Sequence, residues 1–225
     1  MTVEFTAVWA ASALGEHRPC EDTYGRWPYD SVPPLDHLPF TGSYEWFGDI
    51  GELVDDRCTA AVRDLERAAA DAGVALPADF VAFETHAEVR GALVDVSCCW
   101  TDLSGLMPSP FEEGAYLVRF LRDQQDCVIW YLYLRPGQDA FVVHSHELAW
   151  YLDHLLDDFD DGWEPPELTA VELAAEVSWC APSFEQFAYR FWIENRLSEV
   201  LTEGGRDLEP AERDYLDRYA LCRKG

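Results

Sequence analysis

The chain has 225 residues and carries 43 Asp and Glu against 16 Lys and Arg, a formal net charge of −27. Such an excess repels nucleic acid and anionic membrane surfaces, so a basic protein is the partner that the charge favours. The sequence holds no apolar run long enough to span a bilayer, its start (Met1-Thr2-Val3-Glu4-Phe5) lacks the basic flank of a signal peptide, and its seven cysteines form no CxxC pair, so a cytoplasmic protein with reduced thiols is expected.

At this length a single domain over 1–225 buries enough surface, roughly 70% of what the unfolded chain exposes, to need neither metal nor disulfide. Its 9 Trp, 10 Tyr and 12 Phe supply the core. Val3, Phe5, Ala7 and Trp9 alternate with Thr2, Glu4, Thr6 and Val8, which predicts a first strand with one buried face. Prolines 19, 28, 33, 34 and 39 then interrupt an aromatic, acidic stretch, so residues 1–48 read as that strand followed by an irregular wrap lying against the body.

Asp49 and Glu52 have capping-box spacing ahead of Leu53, Val54, Cys58, Val62, Leu65 and Ala69, a helix expected to end at Gly73. Pro77 at a first helical position opens a second helix carrying Phe80 and Phe83. Four β segments follow. Val94, Val96, Cys98 and Trp100 share a face; Tyr116, Val118 and Phe120 share the next; Cys127 to Leu134 and Ala140 to His144 complete the set. Hairpin-length links make them an antiparallel meander.

Leu148, Tyr151, Leu152, Leu155, Leu156 and Phe159 are spaced for a helix that runs into an acidic segment. Ser183 with Gln186 opens another, whose stripe includes Phe184, Phe187, Phe191 and Trp192. A C-terminal helix begins at Pro210, within 202–225. The expected fold class is α+β: an antiparallel sheet of about four meander strands plus the N-terminal strand, flanked by helices.

Four segments in this order resemble the SUKH superfamily: Leu76-Pro77-Ala78-Asp79-Phe80, the strand pair Gly114 to Phe120 and Gln125 to Tyr133, the strand Phe141-Val142-Val143, and the helix Ser183 to Asn195. The likeness covers 58–201. It implies an α+β scaffold for binding another protein, as in bacterial toxin-immunity proteins, with no catalytic residue or cofactor to carry over. The proline-rich wrap and the segment Asp153 to Asp161 depart from the family pattern.

Several residues invite chemistry. His144-x-His146 near Cys98 or Cys99 suggests a metal pair, but a site needs three or four convergent ligands and no second pair has the spacing. Cys127 with His144 or His86 suggests a hydrolase, yet no strand-turn-helix elbow surrounds any Cys or Ser. Asp123, Asp126 and Asp139 sit where turns favour Asp for local hydrogen bonds. No catalytic residue, metal site or cofactor is assigned.

The run Asp157, Asp158, Asp160 and Asp161 lacks the ligand order of a calcium loop and opposes the dipole of the helix it ends. These four, with Trp163 as an aromatic anchor, are the expected partner-binding residues. Two functions of different classes result: a protein-binding domain, either an immunity protein that neutralises a basic toxin or nuclease or a regulatory scaffold without a toxin, and a Cys/His hydrolase.

Overall fold

Ile129–Leu134 is apolar at every position and buried at every position, because both faces of this strand are covered. Side chains of a strand alternate between faces. Ile129, Tyr131 and Tyr133 enter one cluster and Trp130, Leu132 and Leu134 another. The sheet is therefore the middle layer between two sets of helices, and this strand lies in its interior. The computed structural model describes residues 2–93, 99–156 and 168–222.

The strands are β1 (Thr6–Ala11), β2 (Gly25–Pro28), β3 (Cys99–Thr101), β4 (Met107–Pro108), β5 (Tyr116–Asp123), β6 (Ile129–Leu134), β7 (Phe141–His144) and β8 (Ser178–Ala181). They form one eight-stranded open sheet in the order β2-β1-β8-β7-β6-β5-β3, with β4 beside β5. The meander β3-β5-β6-β7 is antiparallel as expected, although Val94, Val96 and Cys98 of its first expected strand lie outside the described residues. The sheet is nonetheless wider than five strands: β8 extends β7 antiparallel, and β1 joins β8 in parallel, Thr6 opposite Ser178 and Ala7 opposite Trp179.

The helices are α1 (Asp56–Asp71), α2 (Ala78–Thr85), α3 (Ala87–Gly91), α4 (Glu147–Leu156), α5 (Ala170–Ala175), α6 (Phe184–Glu203) and α7 (Pro210–Cys222). One sheet face receives α1 and α2 through Leu65, Ala69, Phe80 and Phe83, and α6 through Phe184, Phe187 and Phe191. The opposite face receives α4 and α5 through Leu148, Leu152 and Leu173. The outer side of α6, Tyr189, Ile193 and Leu197, packs on Tyr215, Leu216 and Tyr219 of α7 and on Leu14 and Leu35 of the wrap. Buried on two sides, α6 has little room for an unpaired charge.

Four local expectations need correction. The first helix starts at Asp56, because Asp55 is the cap that accepts from Cys58 N at 2.9 Å, whereas Asp49 accepts from Gly51 N in a turn of its own. Pro77 is the residue before α2 instead of its first member. The first strand is Thr6–Ala11 with Ala7 exposed and Trp9, Ala10 and Ala11 all buried, since β1 lies between β2 and β8 and a strict alternation does not hold there. The wrap does contain regular structure: Gly25–Pro28 pairs with β1 antiparallel. Prolines are tolerated in it because β2 is an edge strand, which can end in Pro28 without losing a ladder bond on its free side.

Bulges adjust two inner strands. Between Arg119 and Leu121 the pairing with β6 shifts, so Phe120 is an added residue aimed at Phe184 and Phe187. Cys180 is the corresponding added residue where β8 meets β7, and it is wholly buried.

Candidate binding face

Three side chains of α6, Glu185, Arg190 and Glu194, hold the wrap. Glu185 accepts from the backbone N–H of Gly42 at 2.6 Å and of Tyr44 at 2.9 Å, and from Trp46 Nε1 at 3.2 Å. The chain turns there through positive φ at Gly42 and Tyr44, which aims both N–H groups at one carboxylate. Glu194 accepts from Arg18 at 2.7 and 2.9 Å, from Trp9 Nε1 at 2.7 Å and from the Tyr215 hydroxyl at 2.6 Å. Arg190 donates to Pro33 O at 2.8 Å and to the Tyr215 hydroxyl at 2.9 Å.

Such a cluster is stable only because it is complete. Burial alone would push the Glu194 carboxyl up; the charge and hydrogen bonds of Arg18, with Arg190 and Tyr215, outweigh it and hold the group below its ordinary value. Burial likewise opposes the charge of Arg18, and Glu194 overcomes it. The Arg190 guanidinium lies between the rings of Trp9 and Tyr29, at 5.6 and 5.1 Å. A fourth tie is Asp79, which accepts from Glu185 N and Phe80 N at the starts of α6 and α2, with burial raising its carboxyl despite those donors.

Where the wrap crosses the start of α6 it leaves a groove of about 470 Å³, walled by Tyr29, Val32, Pro33, Pro34, Pro182 and Gln186, with Arg190 at its floor and Cys222 of α7 at one end. Asp30 and Asp36 stand exposed on its rim. The walls are rigid for a local reason. Pro33 and Pro34 fix the backbone, and Arg190 pins the Pro33 carbonyl from below. The floor cation is engaged with Pro33 and Tyr215, so the accessible surface of the groove is apolar in the middle and acidic at the edge.

Asp157, Asp158, Asp160, Asp161 and Trp163, the partner-binding residues expected from the sequence, lie outside the described residues, as does Cys98. The other candidates are placed separately. His144 is buried opposite Trp130, with its ring lowered to about 4 by burial, then by the Arg26 charge, against a hydrogen bond to the Val8 backbone. His146 donates from Nδ1 to Asp126 O at 2.6 Å, and His86 from Nδ1 to Ala82 O at 2.8 Å. Cys127 is exposed on the β5–β6 hairpin, and its thiol is raised by desolvation and by the Asp123 carboxylate, the reverse of what a thiolate nucleophile needs.

The three turn aspartates stand in different surroundings, and one of them caps backbone. Asp123 is buried and accepts from Val128 N at 3.3 Å, Asp126 pairs with Arg122, and Asp139 sits exposed in the β6–β7 turn. Among the described residues no group of three His, Cys, Asp or Glu side chains is placed to hold a metal. Sequence reasoning missed the groove and the cluster beneath it, although one signal was present: Arg190 and Glu194 interrupt the aromatic stripe of α6, and charges there need partners, which the wrap, β1 and α7 bring. Comparison with known proteins finds no matching family model, no matching curated protein and no matching solved structure.

Proposed function

We propose that the chain is a non-catalytic protein-binding domain, of the SUKH-like immunity kind, that neutralises a basic toxin or nuclease domain by stoichiometric capture. The observation that carries this reading is the distribution of charge. Part of the scarce positive charge is neutralised within the chain: Arg18 by Glu194, Arg122 by Asp102 and Asp126, Arg135 by Glu112, and both Arg196 and Arg206 by Glu212, while Arg26, Arg57, Arg63 and Arg213 stand exposed. The surplus of carboxylates is left to solvent, where a field of one sign raises the encounter rate with a basic protein by about 10 to 10³.

Supporting it, His86, His144 and His146 are each held in local structure, and the exposed Cys127 thiol is raised by desolvation and the Asp123 carboxylate. Asp157, Asp158, Asp160 and Asp161 belong to the charged contact in this reading, with Trp163 as its anchor. The test is affinity capture from the source organism, followed by association rates of the captured protein at rising salt. A basic partner, bound one to one and associating more slowly as salt screens beyond about 8 Å, is the expected result. Reversing Asp157 and Asp158 to Lys slows it further. An acidic partner, or rates indifferent to salt and reversal, overturns the electrostatic mechanism.

A further inference from the structure

We infer that the groove between the wrap and α6 is a docking site for an extended segment of the partner that presents an apolar side chain flanked by Arg or Lys. The inference rests on the reading of the chain as a binder of basic protein, and adds a contact distinct from the acidic run at Asp157–Asp161.

The groove divides its chemistry by depth. Its middle is made of Tyr29, Val32, Pro33, Pro34 and Pro182, which give up water readily, and its volume of about 470 Å³ admits a large side chain with room for its neighbours. The Arg190 charge beneath that middle is buried and donates to the Tyr215 hydroxyl and the Pro33 carbonyl, and it repels a cation placed there. The carboxylates stand apart on the rim, Asp30 and Asp36, both exposed. Arg218, whose charge reaches Asp36, is itself paired with Asp214 at 2.9 Å. The complementary ligand therefore places an apolar side chain down and basic side chains across the edge. A wall that is already rigid loses little freedom on binding, which favours a short extended segment.

The experiment is a titration of the full chain, labelled for amide resonances, with the synthetic peptide Ac-Arg-Leu-Arg-Leu-Arg-NH2 at low salt, with Ac-Glu-Leu-Glu-Leu-Glu-NH2 as its acidic counterpart. The basic peptide is expected to shift Val32, Leu35, Gln186 and Cys222 saturably, the acidic one not at all, and D30K/D36K is expected to weaken binding by at least about tenfold with the spectrum of the fold unchanged. Shifts confined to other carboxylates overturn the groove while leaving the basic-partner reading intact; equal binding of both peptides, or no binding, overturns the groove outright. A chain ending at Cys222 separates one more occupant, the chain's own Arg223 and Lys224. Binding seen only after that truncation assigns the groove to the tail and refutes the proposal. If D30K/D36K captures the natural partner at the wild-type rate, the partner reading survives and the groove does not.

Discussion

Glu194 on α6 and Arg18 in the wrap share two hydrogen bonds of 2.7 and 2.9 Å, with side chains only 4% and 1% exposed. A buried ion pair of this kind contributes little against an apolar pair of equal volume, but removing one partner strands the other. Arg18→Met alone is therefore expected to cost about 3–5 kcal/mol in chemical denaturation, and the double variant Arg18→Met, Glu194→Leu to recover a large part of that loss. A double variant no more stable than the single one shows that Trp9 and Tyr215, which also donate to Glu194, need the carboxylate for themselves.

His144 makes stability depend on pH just below neutrality. Its folded value near 4 lies below the ordinary value of 6.5, so the unfolded chain binds a proton more readily. The contribution is complete above pH 6.5 and is lost as pH falls from there to about 4, up to about 3 kcal/mol by linkage. His144→Gln removes this slope. Denaturant midpoints measured from pH 7 to pH 4 check it, and a variant that keeps the wild-type slope assigns the effect to another group.

Glu212 governs a lower window. Arg206 is the first cause of its depression to about 2, with burial opposing and the Glu209 N–H and Arg196 adding to it. Its stabilisation is present above pH 4.5 and lost on the way down to 2. Because α7 is tied to α6 through this carboxylate, Glu212→Gln is expected to increase amide exchange in α7 at neutral pH while that of β6 stays slow.

Phe191 stacks on Phe187 and meets Trp130 edge to face at 5.4 Å, joining α6 to the centre of the sheet. Phe191→Ala is expected to cost about 3–5 kcal/mol. Thermal melts are the check; an unchanged midpoint excludes Phe191 from the core.

What was legible in the sequence follows from locality. The cap at Ser183, the helix start at Pro210 and the hairpins of the meander are set by residues a few positions apart, and they stand where spacing puts them. Strand β8 and helix α5 were not read, although Thr169 and Glu172 form a full capping box, because Ser178-Trp179-Cys180-Ala181 is too short to show a period and bulges at Cys180. The groove was illegible for the same reason at longer range. Its walls come from positions 29–36, 182–190 and 222, which only the tertiary fold brings together.

The parallel pairing of β1 with β8 sets an order of assembly. A ribosome that has made Thr6 must add roughly 170 more residues before Ser178 exists, about 10–35 s at ordinary elongation speed. During that interval Trp9, Ala10 and Ala11 have β2 but not β8 beside them, and the Arg18 guanidinium has no Glu194. The meander from β5 to β7, complete far earlier, can collapse without them. The first strand therefore cannot take its place beside β8 until most of the chain has left the ribosome.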